Sequence, residues 1–158
     1  MHTLLISEAS FKDITSSNHL TTDQLITKLR TLAGTAYQVM QKTRFVASAM
    51  KHPFKNAEHY SSAIMDSLNV YVSQLQKMGD AKASLSAIAK SYVLHETKTD
   101  WKQPIRELIA LHLEIKNEIL SIFVHYKESD FPETFTFLRQ QLFLHEEQLW
   151  DFKSQLEN

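Results

Sequence analysis

Residues 133–158 read ETFTFLRQQLFLHEEQLWDFKSQLEN, and this stretch decides the fold class. Its mostly apolar repeat advances by three or four residues at a time, through Phe135, Leu138, Leu142, His145, Leu149 and Phe152. That spacing places all members of the repeat on one side of an α-helix, as in the seam of an antiparallel bundle. The stretch therefore predicts a long amphipathic helix.

Three more long stretches have the same periodicity. The first follows a capping sequence at 21–24 and ends before Pro53, because a residue that precedes proline avoids helical geometry. The second ends at Gly79, and the third has Pro104 in its first turn. A shorter amphipathic segment that includes Leu85 lies between them. We therefore predict an all-α fold, a ferritin-like four-helix bundle with a short helix in the crossover between helices 2 and 3.

The composition limits the domain organisation and the classes of site. A chain of 158 residues is long enough for one domain, which we predict at 21–158 after an N-terminal arm at 1–20. The two glycines, Gly34 and Gly79, are too few for hairpin-rich β proteins or for Gly-rich phosphate loops. The absence of cysteine excludes disulfides and thiolate metal sites.

Charge and hydropathy bear on partners and location. The 17 Lys and Arg residues balance 18 Asp and Glu residues, and the arm has one basic side chain, Lys12, near Glu8 and Asp13. DNA binding, which needs a basic arm or surface, is therefore not expected. No apolar run is long enough to span a bilayer, and the first residues lack the features of a secretory signal. We expect a cytoplasmic protein without a membrane partner.

Several short motifs in the C-terminal third match one known family in order and spacing. They comprise Glu107, Leu108 and His112, then Ser129, Asp130 and Thr134, and then His145, Glu146 and Trp150. Upstream, Lys42-Thr43-Arg44 and Met78-Gly79 fit the same pattern. Over about residues 25–157 the chain resembles a Dps-type mini-ferritin, a member of the DNA-binding proteins from starved cells. The resemblance implies iron storage or sequestration, protection against oxidative damage, and a homo-oligomer in the form of a dodecamer.

The iron-oxidising motif of that family is not preserved. In the family, a His-Trp-Asn segment of one subunit meets acidic residues on the second helix of its neighbour. The His-Trp-Asn positions fall here on Ala47, Ser48 and Ala49, and an expected Asp falls on Ala63. No carboxylate occurs between Asp23 and Glu58, so the first helix has almost no ligand for iron. We therefore expect weak, altered or absent ferroxidase activity.

The second helix still contains ligand-type side chains. Glu58, His59 and Asp66 are the candidate metal residues, and Glu58 and Asp66 point in roughly similar directions because eight residues separate them. An altered iron site is one interpretation, and an ordinary solvated helix face is the other.

Asp130 and Glu133 lie at the loop that leads into the fourth helix. The resemblance implies that they line a channel through which ions enter, where rings of carboxylates attract Fe²⁺. Alternatively, they cap the helix and compensate its dipole. The channel role and the capping role are compatible with each other. Glu118 and Glu146 are further candidates for an acidic shell interior, or equally for solvated faces.

His112 and His145 interrupt the apolar repeats of the third and fourth helices and are expected to face each other. We interpret them as structural core residues, with Glu114 or Glu146 as candidate hydrogen-bond partners.

Two functions remain open. The first is a mini-ferritin that binds iron, and the second is a non-catalytic bundle that has lost iron chemistry and co-assembles with an active paralogue. Apolar residues off the core repeats favour an oligomer in both cases, and they include Phe45, Phe137, Phe143 and Trp150.

Overall fold

The computed structural model describes residues 21–49, 56–91 and 102–157, and over these residues the chain is all-α. The α-helices are α1 (Thr22–Ala49), α2 (Ala57–Lys77), α3 (Leu85–Ser91), α4 (Lys102–His125) and α5 (Pro132–Glu157). A short 3-10 helix, Glu128–Asp130, precedes α5. Each stretch with a helical repeat, including the short one, forms a helix. The arm at 1–20 and the end of the first helix before Pro53 lie outside the described residues.

Capping hydrogen bonds explain where α1 begins and where α2 ends. The Gln24 N–H donates to Thr21 Oγ1 at 3.3 Å, and the Thr21 N–H donates to Gln24 Oε1 at 2.9 Å. This reciprocal arrangement is a capping box, which confirms the predicted start. Beyond α2, Gly79 has a φ of 111°, and the Asp80 N–H donates to the Leu75 carbonyl at 2.9 Å. The predicted end of α2 is therefore confirmed as a left-handed Schellman turn.

α1 is antiparallel to α2 and to α4. Arg30, near the start of α1, contacts Asp80 just beyond the end of α2, with 2.7 Å between guanidinium and carboxylate. Lys28, also near the start of α1, lies 2.9 Å from Glu118 towards the end of α4. Both contacts join the beginning of one helix to the end of the other.

α5 is antiparallel to α4 and to α2. The rings of Phe123, near the end of α4, and Phe135, near the start of α5, meet edge to face with centroids 5.2 Å apart. Thr134 donates a hydrogen bond of 2.9 Å to Gln74 near the end of α2. It follows that α2 and α4 run in the same direction, so the chain between them must return along the length of the helices. α3 lies in this crossover and packs against α1 and α2.

The apolar core lies between the four long helices, each of which contributes fully buried leucines, among them Leu29, Leu68, Leu108 and Leu138. Burial of such a side chain stabilises the fold by about 1.5–3 kcal/mol. Tyr71 is also fully buried and contacts Phe137 edge to face, with centroids 4.7 Å apart. The interpretation of Phe137 as an outward-facing residue is therefore wrong, because α5 buries a second face against α2.

Large apolar side chains remain exposed on α4 and α5. Val124 on α4 is 76% exposed, and on α5 Phe143 is 73% and Trp150 72% exposed, so all three are mostly in solvent. We call the surface formed by Phe143 and Trp150 the outer apolar face. Phe143 and Trp150 are seven residues apart and share one side of α5. Their prediction as residues outside the core of the single chain is confirmed.

None of the helices in the described part of the chain is both long and apolar enough to cross a membrane.

Candidate functional site

The three predicted metal residues on α2 lie on its surface. Glu58 and His59 are exposed in the first turn, and Asp66 is exposed two turns further on. Over residues 21–49, 56–91 and 102–157, no three His, Asp or Glu side chains are grouped to hold a metal ion. A metal site that uses these residues would therefore need donors from outside the described part of one chain, such as a second subunit.

Asp66 and Glu133 line the same groove between α2 and α5, although the sequence assigned them to different sites. The groove has a volume of about 590 Å³, and Val70 and Gln141 also line it. Glu133 lies 3.2 Å from the ammonium group of Lys77 across the groove. One predicted ligand and one predicted channel residue thus line a common groove, in which Lys77 pairs with Glu133.

Asp130 and Glu133 are both exposed near the start of α5. Asp130 is the last residue of the 3-10 helix, and Glu133 is in the first turn of α5, where a negative charge interacts favourably with the helix dipole. These positions support the role of Glu133 in stabilising the helix. The channel role depends on neighbouring subunits and stays a prediction.

His112 on α4 and His145 on α5 form the most buried polar contact in the described helices. Both residues are 0% exposed, and their Nδ1 atoms lie 2.8 Å apart. Their rings are tilted by 50° with centroids 5.0 Å apart. The expectation that the two face each other is confirmed. The expected carboxylate partner is wrong for Glu146, which instead lies 3.2 Å from Lys116 on the surface.

Burial keeps both imidazoles neutral. Loss of solvent lowers the pKa of His145 to about 4, and burial together with the neighbouring His145 lowers the pKa of His112 well below its usual range. Between two neutral rings, one Nδ1 carries a proton and donates, and the other accepts. Each ring then has the opposite character at Nε2, so the pair retains one buried N–H and one buried lone pair.

Other buried polar atoms lack hydrogen-bond partners within the described residues. Besides Nε2 of both histidines, they belong to Thr43, Tyr71, Tyr126, Gln141 and Gln148. Gln148 is 0% exposed, and both atoms of its amide are unpaired. It follows His145 by three residues, so the two side chains lie on the same side of α5. Gln148 is absent from the residues predicted from the sequence, although its three-residue interval from His145 could have indicated it.

A cavity of about 230 Å³ lies between the end of α1, the start of α2 and the end of α5. Tyr60 on its wall donates a hydrogen bond to Asp151, and burial followed by this bond raises the pKa of the Tyr60 hydroxyl. Thr43 and Phe152 also line the cavity. The Phe152 ring contacts His112, with centroids 5.6 Å apart.

Lysines pair with two glutamates that were candidates for an acidic interior. Lys28 pairs with Glu118, and Lys116 pairs with Glu146. An acidic lining that includes these two side chains would therefore be weaker than the sequence suggests.

The chain matches no protein-family model, no curated protein and no solved structure in comparisons with known proteins. The candidate site therefore depends on its own geometry for interpretation.

Proposed function

We propose that this chain is a ferritin-like, Dps-type bundle that stores or sequesters iron as a cytoplasmic homo-oligomer, with weak, altered or absent oxidation of Fe²⁺. The helix order is the observation that carries the proposal. α1 is antiparallel to α2 and α4, and a crossover that contains a short helix joins the parallel pair α2 and α4. One long crossover between two antiparallel hairpins is typical of ferritin-like bundles.

The outer apolar face supports assembly. Exposed phenylalanine and tryptophan side chains are enriched where subunits meet, and Phe143 and Trp150 are both more than two-thirds exposed on one side of α5. A dodecameric shell is the form that the resemblance implies. Burial of these side chains against other subunits would remove the largest apolar groups from solvent.

The two carboxylates of the groove between α2 and α5 support iron binding, and an incoming cation would compete with Lys77 for Glu133. Asp66 and Glu133 line it, and Asp130 is exposed close to the start of α5. Carboxylate oxygens suit Fe²⁺ only when several converge on it. In this proposal, neighbouring subunits supply the further ligands, so iron binds between chains and not within one.

A non-catalytic structural bundle is the second candidate function. The neutral interior favours it, because His112 and His145 bond to each other where a di-iron bundle places carboxylates. The lysine partners of Glu118 and Glu146 favour it as well. Such a chain would keep the helices and the outer apolar face, and an active paralogue would supply the iron chemistry.

Retention of iron by the assembly separates the two candidates. The purified full chain is mixed with Fe²⁺ and either O₂ or H₂O₂, and ferric absorbance is followed beside a protein-free control. The mass of the assembly is measured by light scattering. A large assembly that retains iron supports the first proposal, and a large assembly without iron supports the second.

A matched pair of variants tests the groove. Asp66→Asn combined with Glu133→Gln removes both carboxylates, whereas Glu157→Gln removes one exposed carboxylate at the end of α5. We expect iron retention to fall only in the first variant. Equal retention in both variants would exclude the groove as the binding surface.

A further inference from the structure

We infer that two copies of this chain bind each other through the outer apolar face of α5, in an antiparallel pair about a twofold axis at Phe143. The inference rests on the subunit assembly of the proposed function and not on its iron chemistry. Phe143 and Trp150 are mostly exposed, whereas the other phenylalanines of α5, which are Phe135, Phe137 and Phe152, are buried. Two exposed rings on one side of a helix are typical of a face that another subunit covers.

Polar side chains flank the outer apolar face on both sides. Arg139 and Glu146 are exposed on the same flank, because seven residues are close to two helical turns. Glu146 lies 3.2 Å from Lys116, so this flank faces α4. Gln140 and Glu147 are exposed on the other flank, and Gln140 lines the groove between α2 and α5. Each flank therefore has its own pair of side chains.

The charges on the flanks match in one register. An antiparallel pair with a twofold axis brings each flank against the same flank of the second copy. With Phe143 on the axis, residues three or four before it meet residues three or four after it. Arg139 therefore meets Glu146 of the second copy, and Gln140 meets Glu147 of the second copy. Each contact occurs twice by symmetry, which gives two ion pairs and two hydrogen bonds from amide to carboxylate.

Other pairings of the same helices bring like charges together. If Phe143 faces Trp150, the axis lies between Glu146 and Glu147, and each carboxylate meets its own copy. A parallel pair brings Glu146 close to Glu147 of the second copy. A register centred on Trp150 places Phe143 against Glu157, a charge at the end of the helix. Like charges in contact oppose association, so the charge pattern selects the register centred on Phe143.

The area is sufficient for a specific pair. An aromatic side chain buries about 150–250 Å² when it is covered completely. Phe143 and Trp150 are 73% and 72% exposed, so the four rings of a pair remove roughly 500 Å² from water. A specific interface needs about 1,000 Å² in total, and the long exposed side chains on both flanks supply the rest. Trp150 packs against Thr136 of the second copy, so both rings are covered.

The pairing also places a second chain at the groove between α2 and α5. Asp66, Glu133 and Gln140 line this groove. Because Gln140 meets Glu147 of the second copy, a carboxylate of another chain lies at the rim of the groove. The proposed iron binding requires such a ligand from a neighbouring subunit, whereas the pairing itself needs no metal.

Disulfide trapping tests the register, because the chain has no cysteine of its own. Packed helices with axes roughly 9 Å apart bring Cα atoms that face each other to roughly 5 Å, which suits a disulfide. Phe143→Cys should therefore form a covalent dimer under mild oxidation. Trp150→Cys should not, and Ser86→Cys, at an exposed position on α3, is the control for random collision. Trapping through Trp150→Cys, equal trapping in all three variants, or no trapping would overturn the inference.

An exchange of charges tests the ion pair between copies. Arg139→Glu and Glu146→Arg should each weaken association by roughly tenfold in ultracentrifugation without iron, and the double variant should restore it. Within one chain the exchange places like charges beside Glu128 and Lys116, so it improves no internal contact. Recovery of association therefore reports a contact between copies. A double variant that associates no better than the single variants would overturn the inference.

The two proposals fail in different ways. A pair that is trapped through Phe143→Cys and recovers with the exchanged charges, in an assembly without iron, supports this inference and contradicts iron storage. A large assembly that retains iron, in which both the trapping and the recovery fail, overturns this inference and supports iron storage.

Discussion

The Arg30 guanidinium lies 2.7 Å from the Asp80 carboxylate and joins the start of α1 to the turn after α2. The Asp80 side chain is only 8% exposed, so removal of Arg30 leaves a buried carboxylate without its cation. The Arg30 side chain is about half exposed, so solvent weakens the ion pair. We therefore expect Arg30→Ala to lower the free energy of unfolding, measured in urea, by only about 1 kcal/mol. Arg139→Ala breaks an exposed ion pair with Glu128 and should change stability less. Equal losses of stability in the two variants would contradict a larger contribution from the Arg30–Asp80 ion pair.

The same contact predicts a dependence on pH. The hydrogen bond from Arg30 lowers the pKa of Asp80 in the folded chain. A carboxyl with a lowered pKa stabilises the fold above its unfolded value of about 3.9, and this contribution disappears as the pH falls through the folded value. The stability difference between wild-type protein and Arg30→Ala should therefore shrink below that pH.

The buried histidines predict a loss of stability at mildly acidic pH. Their pKa values are lowered by burial, so the unfolded chain binds protons below about pH 6.5 that the folded chain does not. Each histidine should then reduce the free energy of unfolding by up to about 1.4 kcal/mol per pH unit below that value. Denaturation between pH 7.5 and about pH 5 measures the slope.

A double variant is the control for this slope. His112→Leu with His145→Leu removes both buried imidazoles, and the pH dependence above about pH 5 should become nearly flat. His59→Ala, at an exposed position, should leave the slope as it is. A steep slope that persists in the double variant would show that other groups cause it.

Two buried tyrosines should respond oppositely to loss of their hydroxyl groups. The Tyr71 hydroxyl is fully buried with no partner in the described residues, whereas Tyr60 donates to Asp151. Removal of an unpaired polar group is neutral or stabilising, and removal of a bonded one costs about 1 kcal/mol. We expect the midpoint temperature of thermal unfolding to rise or stay constant for Tyr71→Phe and to fall for Tyr60→Phe. The reverse order would contradict the hydrogen-bond assignment.

The outer apolar face should control assembly. Phe143→Glu and Trp150→Glu place a charge at positions that are mostly exposed in one chain, so each variant should fold normally. If subunits bury this face, the charge should lower the mass measured by light scattering. Ser86→Glu, at an exposed polar position on α3, is the control. Unchanged mass in all three would place the interface elsewhere.

The sequence predicted the helices because their signals are local. The three-and-four repeat from Phe135 to Phe152 and the turn at Gly79 depend only on neighbours along the chain. The burial of Phe137 was predicted wrongly because it depends on Tyr71, more than sixty residues away. Helical periodicity assigns each helix one core face. Because α5 packs against both α4 and α2, it buries a second face, and Phe137 lies on that face.

The candidate site was predicted only in part, for a similar reason. The apolar repeats correctly placed His112 opposite His145, because each lies in the core repeat of its own helix. Gln148 and Asp151, the acceptor for Tyr60, lie beside those repeats, where the sequence does not reveal which neighbour a side chain meets. The shared groove of Asp66 and Glu133 depends on the packing of two helices that are distant in sequence.

Iron content per assembly is the most direct test of the proposed function. Fe²⁺ is added in air to the full chain, free iron is removed by size exclusion, and iron and protein are measured in the eluted peak. The ferritin-like proposal predicts a multi-subunit assembly that holds many more iron ions than subunits, even where oxidation is slow. A monomer that elutes without iron would contradict it.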